Sequence, residues 1–144
     1  MPLESIEHSS LVNRGEAYIR HVYSDVRLLS ADSFLPLGTG RILPLLKYQP
    51  DIVAELINGK IIIGEAKTIN DILRPHSKEQ YSAFMLYLSQ QSMQGDFLLF
   101  CSWKVATSAQ DWLRNLSRRH PEMNVTWKVV SDVDIMRKLH GSTN

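Results

Sequence analysis

The alternation of apolar and polar positions divides the chain into short, well-punctuated elements. Leu11, Tyr18, Val22 and Val26 recur at near-helical spacing, so LVNRGEAYIRHVYSDV is expected to be a helix capped by Ser9 or Ser10. A stretch broken by Pro36, Gly38, Gly40, Pro44 and Pro50 follows and reads as loop with a short strand in RILPLL. Two strongly strand-like runs, DIVAELI and KIIIGEAK, then carry the apolar stretches Ile52-Val53, Leu56-Ile57 and Ile61-Ile62-Ile63. Asn58-Gly59 joins them, which is the clearest hairpin signal in the chain. Runs this apolar suit strands covered on both faces.

Beyond Lys67 the periodicity returns to that of a helix. Ser77 and Gln80 have the spacing of a capping box, opening KEQYSAFMLYLSQQSM. DFLLFCSW reads as a buried strand. AQDWLRNLSRRH reads as a third helix, capped by Thr107 or Ser108 and stopped before Pro121. NVTWKVV is a further strand, and SDVDIMRKLH a short closing helix capped by Ser131 or Asp132. An early hairpin followed by strand–helix alternation predicts an α/β fold on a mixed sheet.

Composition narrows the class. At 144 residues, 44% hydrophobic and 22% charged, the chain has the size and balance of one ordinary globular domain, residues 1–144. No apolar run approaches the roughly 20 residues needed to span a bilayer, and MPLESIEHSS has neither the basic nor the apolar region of a signal peptide. A lone cysteine, Cys101, allows no internal disulfide. The expectation is a cytoplasmic protein with no membrane partner. The net charge of +1 is far from the basic excess of a bulk nucleic-acid binder. Residues 104–144, however, hold seven Lys/Arg against four Asp/Glu.

The candidate chemistry lies in Asp51 and in Glu65-Ala66-Lys67. Side chains two apart on a strand share a face, so Glu65 and Lys67 are neighbours in any register. Asp51 joins them only if the hairpin loop has three residues. A two-residue loop would set Asp51 opposite Ala66, on the wrong face. A three-residue loop with Gly59 as a left-handed G1 bulge pairs Leu56 with Lys60 and sets Asp51 opposite Glu65, with Cβ atoms about 5 Å apart. The bulge is the expected form. Two such carboxylates repel unless a cation lies between them. Magnesium suits that role, since it often takes one or two protein carboxylates and fills its remaining positions with water and phosphate. The carbonyl of Ala66 is a further candidate ligand. Lys67 is placed to hold an attacking water or a developing negative charge.

Pro50-Asp51 followed by Glu65-Ala66-Lys67 resembles the signature of the PD-(D/E)XK, or restriction-endonuclease-like, nuclease superfamily. The resemblance implies an α-β-β-β-α-β core with a mixed central sheet flanked by helices, an order matched by the elements from about residue 9 to residue 103. Glu65-Ala66-Lys67, then Asp71, Leu73, Ser77 and Gln80, is similar to the VRR-NUC group, where E-x-K, D-x-L and S-x-x-Q follow one another. Arg74-Pro75-His76 looks like an insertion before Ser77, and Thr68 stands where a glycine is usual. By resemblance, Asp51, Glu65, Lys67 and Gln80 are catalytic. Glu16, on the first helix, would join Asp51, Glu65 and Ala66 around Mg²⁺, or Mn²⁺ as substitute. The implied activity is metal-dependent hydrolysis of DNA phosphodiesters in replication, repair or recombination, structure-selective because no spare domain reads sequence. A homodimer would allow both strands of a duplex to be cut.

Competing readings attach to the same residues. The fold could serve as a non-catalytic module binding nucleic acid or protein, or the hairpin charges could be a cross-strand salt bridge worth only about 0.2–1 kcal/mol. Gln80 has a sufficient role as a capping residue, and Glu16 as a solvated side chain. His8, His21, His76, His120 and His140 show no metal-ligand spacing, although His76 could contact phosphate. Arg114, Arg118 and Arg119 could track a DNA backbone or be a solvated face. Phe97, Trp103, Trp112 and Trp127 are expected in the core, and Cys101 as an inert small hydrophobe.

Overall fold

The computed structural model describes residues 3–31 and 48–141. Over these residues it is an α/β fold with nine elements: α1 (Leu3–Val22), β1 (Val26–Ala31), β2 (Ile52–Leu56), β3 (Ile61–Ala66), α2 (Pro75–Ser89), β4 (Asp96–Cys101), α3 (Trp103–Arg119), β5 (Thr126–Ser131) and α4 (Asp132–His140). The strands form one sheet in chain order, β1-β2-β3-β4-β5. The first three pair antiparallel, and β3, β4 and β5 pair parallel. Strand β3 therefore has an antiparallel neighbour on one side and a parallel one on the other.

Both faces of the sheet are covered, which is why β3 and β4 are buried along their whole length. Val53, Ile61, Ile63, Phe97, Leu99 and Cys101 face α2 and α3, which contribute Tyr81, Phe84, Leu88, Leu113 and Leu116. Ile52, Ala54, Ile62, Ala66, Leu98, Phe100 and Val130 face α1 and α4, which contribute Val12, Tyr18, Ile19 and Ile135. The period of two along each strand decides which residues point to which helix pair. Helix α1 lies close to the sheet at Gly15. A Cβ there would lie 2.8 Å from the Phe100 ring and 3.1 Å from Ile52.

The order α-β-β-β-α-β is present from α1 to β4, but its first strand is not the segment expected. RILPLL lies outside the described residues. The first strand is Val26–Ala31, where helical spacing carried the expected α1 through Val26. The helix stops at Val22 because the next residues find better partners in the sheet: Leu29 pairs with Ala54 and Ala31 with Ile52. Helix α2 begins at Pro75, not after Ser77. Proline suits the first helical position because it has no N–H to leave unbonded and its φ is already helical. Arg74 is the extended N-cap, and it makes no side-chain capping bond. Helix α3 also begins early, capped by Ser102, whose hydroxyl accepts from the Lys104 N–H at 3.2 Å. This places Trp103 in the first turn, 59% exposed and outside the core. Phe97 is buried, whereas Trp112 and Trp127 pack at the margin of the core. Ser131 caps α4 as expected, in a reciprocal box with Asp134. Cys101 is buried, and burial pushes its thiol up to about 12, so it stays protonated and inert.

Candidate active site at the end of the β2–β3 hairpin

The hairpin has the bulged register. Gly59 is left-handed at φ 93°, its N–H donates to the Leu56 carbonyl at 2.9 Å, and Leu56 N–H donates to the Lys60 carbonyl at 2.9 Å. Glu55 then faces Ile61, Val53 faces Ile63, and Ile52 faces Gly64. The next step along this ladder is Asp51 opposite Glu65. Bonded and non-bonded pairs alternate along an antiparallel ladder. Since Leu56–Lys60 is a bonded pair, Asp51 and Glu65 fall at a non-bonded position, where facing side chains approach most closely.

The two carboxylates are interlocked with the backbone. Glu65 Oε1 accepts the Asp51 N–H at 3.1 Å, and Asp51 Oδ2 accepts the Ala66 N–H at 2.9 Å. These bonds set the carboxylates at the open end of the hairpin, beside the C-terminal ends of the parallel strands. Open α/β sheets bind ligands in that region. Lys67 follows β3 directly, with its N–H bonded to the Phe100 carbonyl at 3.0 Å. Its ammonium lies 3.5 Å from Glu65 Oε2 and donates to Gln80 Oε1 from α2. Because α2 starts at Pro75, Gln80 sits in its second turn instead of closing a capping box, and its amide is available to Lys67.

Glu65 is only 3% exposed. Burial first, and the facing Asp51 second, push its pKa well above the ordinary carboxylate value of 4.5, against the opposing pull of Lys67. Tyr81 lies beside it, donating to the Ile72 carbonyl at 2.7 Å. Burial, and then the negative charge of Glu65, hold its phenol protonated.

Asp51, Glu65, Lys67 and Gln80 are thus brought together on the α2 side of the sheet. Glu16 lies elsewhere. It belongs to α1, which covers the opposite face, and its carboxylate is 3.4 Å from Arg20 one turn on. The residue of α1 that reaches the site is His8, whose Nε2 is 3.2 Å from Asp51 Oδ2. Eight residues of helix separate His8 from Glu16, about 12 Å along the axis. Metal-ligand spacing among the histidines could not reveal His8. The signal that could is its place on the stripe His8, Val12, Gly15, Ile19 that faces the sheet.

Among the described residues no three His, Cys, Asp or Glu side chains gather into a group able to hold a metal ion. The chain offers a pair of hard oxygen donors instead, and one of them is a buried carboxylate that Lys67 alone does not bring back to its ordinary range. That donor set fits Mg²⁺, which completes its coordination with water and phosphate. It also fits Mn²⁺ among the metals that favour carboxylate oxygen. Comparison of the chain with protein-family models and with curated proteins finds no match. The functional reading therefore rests on the residues themselves.

Removing the charge from Glu65 is expected to stabilise the metal-free protein at neutral pH. A folded pKa above the unfolded one means that the native state binds this proton more tightly. The resulting stability is fully present below about pH 4.5 and is lost as pH rises through the raised folded value. Glu65→Gln carries no such penalty. In EDTA at pH 7.5 it should melt above the parent, with each kcal/mol of relief appearing as about 2–4 °C, and the gap should close towards pH 4. Thermal melts across that range check this; a variant less stable than the parent at pH 7.5 would show that the ionised carboxylate stabilises the fold.

Proposed function

We propose that the chain is a metal-dependent DNA endonuclease of the PD-(D/E)XK type, hydrolysing phosphodiester bonds in the cytoplasm. The observation that carries this reading is the convergence of Asp51, Glu65 and Lys67 at one sheet end, with Lys67 held by Gln80. Asp51, Glu65 and the Ala66 carbonyl would hold Mg²⁺, which when bound supplies a more acidic water and neutralises phosphate charge. Lys67 acts on the other reactant. Its ammonium can donate to the incoming water and to the phosphoryl oxygens as charge grows on them. Gln80 accepts from that ammonium and so fixes its direction, a positioning role. His8 plays the same part for Asp51. The substrates proposed are branched or flapped DNA in replication, repair or recombination, and a homodimer would pair two sites for double-strand cutting.

The test is cleavage of supercoiled plasmid and of labelled linear, flapped and four-way-junction DNA, in Mg²⁺, in Mn²⁺ and in EDTA. Cutting that needs the divalent cation and is lost in Lys67→Ala is the expected result, and the preferred substrate would identify the pathway. DNA retention without cutting and without metal dependence would replace the enzyme by a binding module.

A further inference from the structure

A second feature lies on the same side of the sheet and takes no part in the chemistry above. Between α2 and α3 runs an open groove of about 520 Å³, with Trp112 and Leu116 at its base and Lys78, Ser82, Arg119 and His120 around it. The Trp112 indole is half-buried and braced edge-on by Tyr81, with ring centroids 5.9 Å apart. The ammonium of Lys78 lies over the ring, 5.6 Å from its centroid, so a base stacked on that face would displace it towards the adjoining phosphate. Among the described residues neither Lys78 nor Arg119 has an ion-pair partner. One acid, Glu79, also lines the groove, where it accepts from the Tyr48 hydroxyl at 2.9 Å.

We infer that this groove binds an unpaired segment of a nucleic-acid strand, with a base on Trp112 and the adjoining phosphates on Lys78 and Arg119. A rigid aromatic ring flanked by cations is how proteins hold single strands without reading their sequence. A duplex hides the faces of its bases, so only an unpaired strand can use the indole. The volume is that of a small-ligand site, which ranges over about 300–1,000 Å³, and suits one nucleotide unit. The groove also adjoins the candidate active site. Tyr81 touches Trp112 on one side and carries the influence of the Glu65 charge on the other. The role assigned to the segment, as the unpaired arm of the cleaved DNA, rests on the nuclease reading; the binding itself does not.

Fluorescence polarisation in EDTA separates the two. The probes are a labelled 20-nucleotide oligo(dT) and a labelled 20-base-pair duplex, with the intact chain, Trp112→Leu and Arg119→Glu. The expected result is at least tenfold tighter binding of oligo(dT) than of duplex, with each variant losing at least tenfold for oligo(dT). Arg119 is exposed, so Arg119→Glu decides the matter should Trp112→Leu fail to fold. Equal affinity for the two probes, oligo(dT) binding unchanged in Arg119→Glu, or equal competition by polyglutamate would each overturn the inference. Oligo(dT) binding that follows these variants in a chain that cuts nothing in Mg²⁺ or in Mn²⁺ would sink the nuclease reading and leave the groove standing. Cutting in Mg²⁺ with no preference for oligo(dT) would do the reverse.

Discussion

Lys67→Ala should cut DNA about 10²–10³-fold more slowly than the parent in Mg²⁺, the usual cost of removing one donor aimed at a charge that grows in the transition state. The loss should be in the rate and not in the fold. Lys67 sits just beyond β3, and its backbone bond to Phe100 does not depend on the side chain. The side chain's other partners are Glu65 and Gln80. Without the ammonium, Glu65 loses the one neighbouring charge that favours its ionised form. Burial and Asp51 then keep the carboxyl neutral over a wider pH range, which spares the fold an unpaired buried charge. Single-turnover cleavage rates, with far-ultraviolet circular dichroism melts as control, check both halves. Gln80→Ala should slow cutting less, since it frees the direction of the ammonium without removing it. Full activity in Lys67→Ala would end the assignment of this site.

Phe100→Ala should destabilise the protein by about 3–5 kcal/mol, the range for deleting a large buried aromatic side chain. Phe100 is fully buried near the C-terminal end of β4 and packs edge-on with Tyr18 of α1, with ring centroids 5.8 Å apart. Its ring occupies space left open by two glycines. A Cβ on Gly15 would come within 2.8 Å of it and a Cβ on Gly64 within 3.0 Å. Neighbours without side chains cannot close around the missing ring, so the cavity should persist and the cost should fall in the upper part of that range. Urea unfolding of parent and variant gives the difference. A loss below 1.5 kcal/mol would mean that α1 settles onto the sheet. Because α1 also carries His8 to Asp51, a shift of that helix would be felt at the site.

Much of this fold follows from local patterning. The hairpin is the clearest case: Asn58-Gly59 marks the turn, and a left-handed Gly59 admits the bulge that sets Asp51 opposite Glu65. One residue of slip would have sent Asp51 to the other face, so a local conformational preference decides a feature of the site. Strands β3 and β4 and the closing helix with its Ser131 cap were legible for the same reason. Each is dictated by neighbours within a few residues.

The remainder depends on partners distant in sequence. Helical spacing runs through Val26, and only pairing with β2 makes Val26–Ala31 a strand. Ser77 and Gln80 have capping-box spacing, yet Pro75 starts the helix earlier and Gln80 turns to Lys67, 13 residues away. Glu16 is an acid on the first helix, but His8 is the residue placed over the end of the sheet. The groove of Trp112, Lys78 and Arg119 exists only because α2 and α3 lie side by side. The sequence by itself determined the α/β class, the place of the hairpin and the shared face of Glu65 and Lys67, and it narrowed the register to two choices, because short-range backbone preferences and the period of two are properties of the local chain. Which side chains complete the site was decided by tertiary packing, because the helices' positions over the sheet answer to burial of apolar surface summed over many distant residues.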